Sequence, residues 1–164
     1  MAPINLYNDL WWRGMSLVPT FGTGTVAGLV PDTGVNMAGF NAYTDYSTLL
    51  QGAPAMTVKY EDSGIKDFEL YSFAYGCASN TITTVGGLVL SCTITATGYN
   101  KHAVQIQQES FEYSSNGQLL QKMQTAVLGK GKGWSGLHTV AFSVSNAINT
   151  QGYIDTVVYK VNEK

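Results

Sequence analysis

From residue 66 onward, apolar and polar residues alternate with a period of two. Within residues 91–99, Cys92, Ile94, Ala96 and Gly98 fall on one face and Thr93, Thr95, Thr97 and Tyr99 on the other. That is the pattern of a half-buried strand. The run 68–77 reads as the strand before it. Val104 and Ile106 lead into a strand reaching about Tyr113, and Ser114-Ser115-Asn116-Gly117 carries the Asn-Gly turn signal. Residues 139–145 place Val140, Phe142 and Val144 on one face. Residues 153–161 do the same with Asp155, Val157, Tyr159 and Val161. An earlier strand is expected over 55–60, and a short one over 25–30. Residues 119–128 suit a strand or a short helix. The first 40 residues hold Pro3, Pro19, Pro31 and many glycines, which break long elements. They are expected to be irregular, with a mixed connection over 41–53.

Roughly seven to nine short strands without a helical period predict an all-β protein. The expected architecture is an antiparallel two-sheet β-sandwich, jelly-roll-like, with a closed barrel of the lipocalin type as the alternative. The 164 residues are expected to form one domain, residues 1–50 packing on the sheets as an irregular aromatic, Gly- and Pro-rich segment.

Two cysteines, Cys77 and Cys92, lie in adjacent predicted strands. With no histidine cluster near them, a disulfide is favoured over a metal site, and hence an oxidising compartment; two buried free thiols are the alternative. Charged residues make up only 12%, about half the usual share, which suits a secreted surface. A net charge of −2 without a basic patch lacks the footprint of nucleic-acid binding. No apolar run approaches the ~18 residues of a membrane helix. The opening Met1-Ala2-Pro3-Ile4-Asn5 has no basic or long apolar leader segment, and is read as a mature sequence with Met1 set ahead of it. No Asn-x-Ser/Thr sequon is present.

Conventional catalytic sets are thin. His102 and His138 sit in no motif, and Ser135 lacks the glycine spacing of a nucleophile elbow. No His/Cys cluster suggests a metal, and no cofactor motif is found. Asp155 is a candidate structural calcium ligand, though a bond to backbone donors is the favoured reading of that residue. Aromatic side chains are more informative: three tryptophans, ten tyrosines and six phenylalanines. Adjacent Trp11 and Trp12 on an extended segment point opposite ways, so one can enter the core while the other faces a cleft or solvent. Arg13 beside them offers a forked cation. Trp134, between glycine-rich turns, is placed to cap an opening.

Several of these segments together resemble a known group. Phe68-x-Leu70-x-Ser72-Phe73-x-Tyr75-Gly76-Cys77, Ser91-Cys92-Thr93-Ile94-x-x-Thr97-Gly98-Tyr99, Leu137-x-Thr139-Val140-x-Phe142 and Ile154-Asp155-x-Val157-Val158-Tyr159 are similar to segments of small secreted fungal β-sandwich proteins, with Tyr7-Asn8-x-Leu10-Trp11 near the start. That group looks like galactose- or carbohydrate-binding jelly rolls, and includes hetero-Diels–Alderases of tropolone-sesquiterpene meroterpenoid pathways. The absent sequons depart from the glycosylated members.

The resemblance implies a cofactor-free pericyclase that orients a tropolone-type o-quinone methide and a terpene alkene such as humulene. Such chemistry needs two apolar reactants held together and a hydrogen-bond donor on the heterodiene oxygen. Arg13 and His102 are the candidate donors, with a Tyr hydroxyl or a Trp N–H as alternatives. Trp11, Trp12, Phe40, Tyr43, Met56 and Trp134 are the candidate substrate-binding residues. The same aromatic inventory suits a carbohydrate-binding protein that stacks sugars on Trp or Tyr, or a secreted interaction protein with no small ligand. Expected partners are hydrophobic small molecules, or a glycan in the second case, with neither nucleic acid nor membrane.

Overall fold

The computed structural model describes residues 2–19, 28–41, 46–79, 88–118, 120–128 and 133–164. The predicted short strand over 25–30 lies partly outside these residues. Its described end is β3 (Leu29–Val30), after β1 (Ala2–Tyr7) and β2 (Leu10–Pro19). There follow β4 (Asn36–Phe40), the short helix α1 (Tyr46–Gln51), β5 (Ala55–Thr57) and β6 (Ile65–Ser79). Then come β7 (Cys92–Tyr99), β8 (Gln105–Tyr113), β9 (Gln121–Lys122), β10 (Gln124–Val127), β11 (Thr139–Val144) and β12 (Thr150–Glu163). The protein is all-β and antiparallel apart from a two-residue parallel pair of β3 with β9. No helix among the described residues is long and apolar enough to cross a membrane.

The large sheet runs β10-β6-β12-β4-β2-β5-β11-β7-β8. β6 and β7 are remote along that path, yet Cys77 and Cys92 are joined, with Cα atoms 6.2 Å apart. The sheet must therefore fold over on itself. One layer is β4-β12-β6-β10, the other β5-β11-β7-β8. Except for the β7–β8 hairpin, each connection in the series β4, β5, β6, β7, β8, β10, β11, β12 crosses between layers, which is the jelly-roll winding. Among the described residues no ladder joins the two ends, β10 and β8, as a closed barrel would require.

Local sequence explains each strand's burial. In β7 the face holding Cys92, Ile94, Ala96 and Gly98 is buried while Thr93, Thr95 and Tyr99 are only partly so. In β11, Val140, Phe142 and Val144 are buried. Between the layers, Phe73 meets Phe111 at 5.3 Å and Phe142 at 5.5 Å between ring centres, both edge-on, as the quadrupoles of aromatic rings favour. Residues 121–127 are strands rather than a helix, because β10 pairs with β6 from Gln124 opposite Tyr75 to Val127 opposite Ser72.

The N-terminal segment departs from the expectation of irregularity. Residues 2–19 form a hairpin and 36–40 a strand that enters the main sheet. The punctuating residues lie where strands tolerate them. Pro3 is in β1, which pairs only with β2, and Pro19 ends β2. Asn8 and Asp9, at φ 45° and 66°, form a two-residue turn with left-handed backbone at both positions.

Gly14 joins the layers. Residues 11–13 of β2 pair with β5, and residues 16–19 pair with β4. At the change of partner, Gly14 has φ 65°, and a Cβ there would overlap the carbonyl oxygen of Gly52. Its N–H donates to Gln51 Oε1 at 2.9 Å and its carbonyl accepts from Thr48 Oγ1 at 2.9 Å. Helix α1 thus supplies the partners that a neighbouring strand would have given, and Gly52, at φ 87°, ends it.

The Cys77–Cys92 bridge spans a sequence separation of 15, a loop whose closure removes roughly 3 kcal/mol of denatured-state freedom. The Cys77→Ala/Cys92→Ala double variant is expected to lose about that much in chemical denaturation, with the midpoint lowered and the slope raised as the unfolded chain expands. Equal stability of the two proteins under oxidising conditions would show that the bridge does not hold the layers together.

Candidate functional site

A half-open cleft of about 530 Å³ lies over β1, β2, β4 and β12, within the usual size range of small-molecule sites. Its apolar wall includes Trp12, Met37, Ile154 and Val157, while Asn8, Thr33, Asn36, Asp155 and Thr156 bring polar groups. Tyr7 and Tyr159 also line it.

Three local features build this cleft. The tight β1–β2 turn sets Tyr7 and Asn8 at one side, where the Tyr7 ring is 58% exposed. Trp12 is only 6% exposed. Its indole N–H donates to the Tyr7 carbonyl at 3.1 Å, so the ring is pinned beneath the turn. On the opposite side, β12 breaks register between Asp155 and Val158, with Thr156 at φ 44°. This bulge re-aims the strand. Asp155 Oδ2 accepts from the Thr33 N–H at 2.8 Å, and Oδ1 accepts from the Thr156 N–H at 2.7 Å. The hydroxyls of Thr33 and Thr156 lie 2.9 Å apart. Finally, the Tyr159 hydroxyl donates to the Asn8 carbonyl at 2.6 Å, tying β12 to the turn.

Among the described lining residues Asp155 is the one carboxylate, and none is a lysine, arginine or histidine. Burial, then Asp9 and Tyr7 nearby, push the Tyr159 phenol up to about 12. Burial likewise raises Tyr113 and, with a smaller effect of Glu112, Tyr75.

The predicted site residues are scattered. Trp12 lines the cleft and belongs to the core cluster; Trp11, beside it, is partly buried and not part of the lining. Phe40 and Met56 are closed within the core at 1% and 0% exposure. They therefore do not line a cavity with Trp12 as expected: Phe40 packs on Phe142 across the layers, at 6.0 Å between ring centres. Tyr43 lies outside the described residues. Trp134 is buried, its carbonyl accepting from the Leu70 N–H at 3.0 Å; a side chain at Gly98 would meet its ring and Leu137. The ring closes the sandwich rather than an opening. Arg13 is partly exposed, its Nε donating to the Ala53 carbonyl at 3.3 Å. His102 is exposed in a turn, its backbone N–H donating to Asn100 Oδ1 at 2.9 Å. Neither lines the cleft. Asp155 takes the two backbone donors described above, and among the described residues no group of three or more His, Cys, Asp or Glu gathers as for a metal ion. Residue-by-residue reading missed Tyr7, Asn8, Thr33, Asn36 and Tyr159 as lining residues. The Asn8-Asp9 pair between two apolar-rich runs was the available signal for the turn.

No protein-family model matches the chain, and no curated protein matches it either. Among solved structures it is similar to a DUF4465 family protein from Bacteroides caccae, at 13% identity and a TM-score of 0.54, over 93% of this chain and 74% of that one. That likeness concerns the fold alone.

A phenol whose folded-state pKa is raised favours folding below its unfolded value and loses that contribution as pH rises through the folded one. For Tyr159 that window runs from 10.0 to about 12. Stability is therefore expected to fall across it. Phenolate absorbance should show late-ionising tyrosines in the native protein that move to about pH 10 in denaturant, and the late step should lose one phenolate in Tyr159→Phe.

Proposed function

We propose that the protein is a secreted carbohydrate-binding protein whose cleft holds a saccharide against Tyr7. The supporting observation is the exposed Tyr7 ring beside a cleft whose polar groups are mostly neutral amides and hydroxyls. An aromatic face offers a flat apolar surface to the C–H face of a pyranose. Asn8 and Asn36 side chains both donate and accept, as sugar hydroxyls require, and Thr33 and Asp155 add further acceptors. Trp12 and Met37 add apolar surface to the same cleft. The disulfide, of a kind that persists in oxidising compartments, supports the secreted part of this reading.

Titration calorimetry with neutral gluco-, manno- and galacto-hexaoses tests this. Tyr7→Ala is expected to weaken the best of them by about tenfold or more, since stacking on that ring is the principal apolar contact. Its melting temperature should stay close to that of the parent, because the ring is mostly exposed. No binding by the parent to any of the three ends this reading.

The apolar share of the walls favours one other reading, a cofactor-free cycloaddition catalyst for a quinone methide and humulene. With Arg13 and His102 off the cleft, the Tyr7 hydroxyl becomes the donor to the heterodiene oxygen. Incubation with both reactants should then give one enantiomer, and Tyr7→Phe should slow turnover by about a hundredfold. Racemic product at the uncatalysed rate removes it.

A further inference from the structure

We infer that Asp155 makes the cleft selective for uncharged saccharides that present vicinal hydroxyls, and turns away chains of uronic acids; this deepens the carbohydrate reading and rests on it. The carboxylate is held from two sides. Thr33 and Thr156 each give one backbone N–H, one to each oxygen, at 2.8 and 2.7 Å. One bond per oxygen leaves each a further acceptor position, because an ionised carboxylate has about four in all. Two neighbouring hydroxyls of a sugar can donate to that pair side by side, as a charge-assisted bidentate contact.

The backbone around it is built at a cost. Thr156 is β-branched and sits at φ 44°, a left-handed conformation that such residues rarely adopt. The hydroxyl contact between Thr33 and Thr156 at 2.9 Å and the register break in β12 hold it there. The two backbone donors that this bulge brings together fix the carboxylate at the cleft. The rest of the lining sharpens the consequence. Tyr7 and Tyr159 carry phenols, Asn8 and Asn36 carry amides, and no described lining residue is cationic. Among the described lining residues a ligand carboxylate therefore meets one fixed negative charge and no cationic side chain, whereas neutral hydroxyls find hydroxyls and amides beside that carboxylate.

The test compares the tightest-binding neutral hexaose with the same chain oxidised at C6 to the uronic acid. In buffer of low salt the native protein is expected to bind the neutral chain at least about tenfold more tightly. In about 0.5 M NaCl the gap should narrow several-fold, since a repulsion at a half-open site is screened. In Asp155→Asn the two chains should bind within about twofold of each other, with the neutral one weakened. If that variant does not fold, the salt dependence of the native protein decides alone. Equal affinity for the two chains, or a gap that salt leaves unchanged, overturns the role of Asp155 while leaving sugar binding intact. Failure of every neutral hexaose to bind overturns sugar binding itself.

Discussion

Contact between the inner faces of a single folded-over sheet is what the rest of this protein depends on. Phe73 on β6 lies at the centre of it, fully buried, with Phe111 and Phe142 edge-on from the opposite layer and Tyr75 beside it. Burying a side chain of this size stabilises by about 1.5–3 kcal/mol from removal of apolar surface alone. Phe40 and Phe68 extend the buried rings, each at most 1% exposed, Phe40 against Phe142 and Phe68 against Tyr159. No strand here is stable as a ribbon; each gains its apolar partner only when the sheet doubles back.

The disulfide and Gly14 serve that doubling at different places. Cys77 and Cys92 clamp β6 to β7, strands that no hydrogen-bond ladder joins. Gly14 allows one strand, β2, to belong to both layers, and α1 satisfies the backbone groups that the kink releases. The clamp acts chiefly on the unfolded chain, by shortening its reach. The glycine acts on the folded one, by admitting a backbone conformation closed to residues with a side chain at that spot.

The cleft is a product of what remains once the two layers are filled. The hairpin of β1 and β2 and the bulged part of β12 lie at the margin of the core, so Trp12 belongs both to the packed interior and to the cleft wall. Tyr159 and Trp12 have their polar atoms engaged by the turn at residues 7–8, which makes that side of the site rigid. Asp155 is fixed equally firmly by backbone donors. A site held in this way suits recognition by shape and hydroxyl pattern, with little reorganisation on binding.

By itself the amino-acid sequence determined most strands from residue 66 onward and the buried faces of β7 and β11, and favoured the pairing of the two cysteines; it left 119–128 open between strand and helix and did not foresee the bulge after Asp155. Alternation is a local property, since neighbouring side chains of an extended chain point to opposite faces whatever surrounds them. It did not reveal that residues 2–19 are strands, because prolines and glycines read as breakers until their edge and kink positions are known. Nor did it separate Phe40 and Met56, sealed in the core, from Tyr7, left at the surface. Those outcomes are settled by which strands become neighbours. Asn8 and Tyr159 are 151 positions apart, and Thr33 and Asp155 are 122 apart. Only the folding of one layer over the other, with β12 laid between β4 and β6, brings such pairs to hydrogen-bond distance, and no spacing along the chain records it.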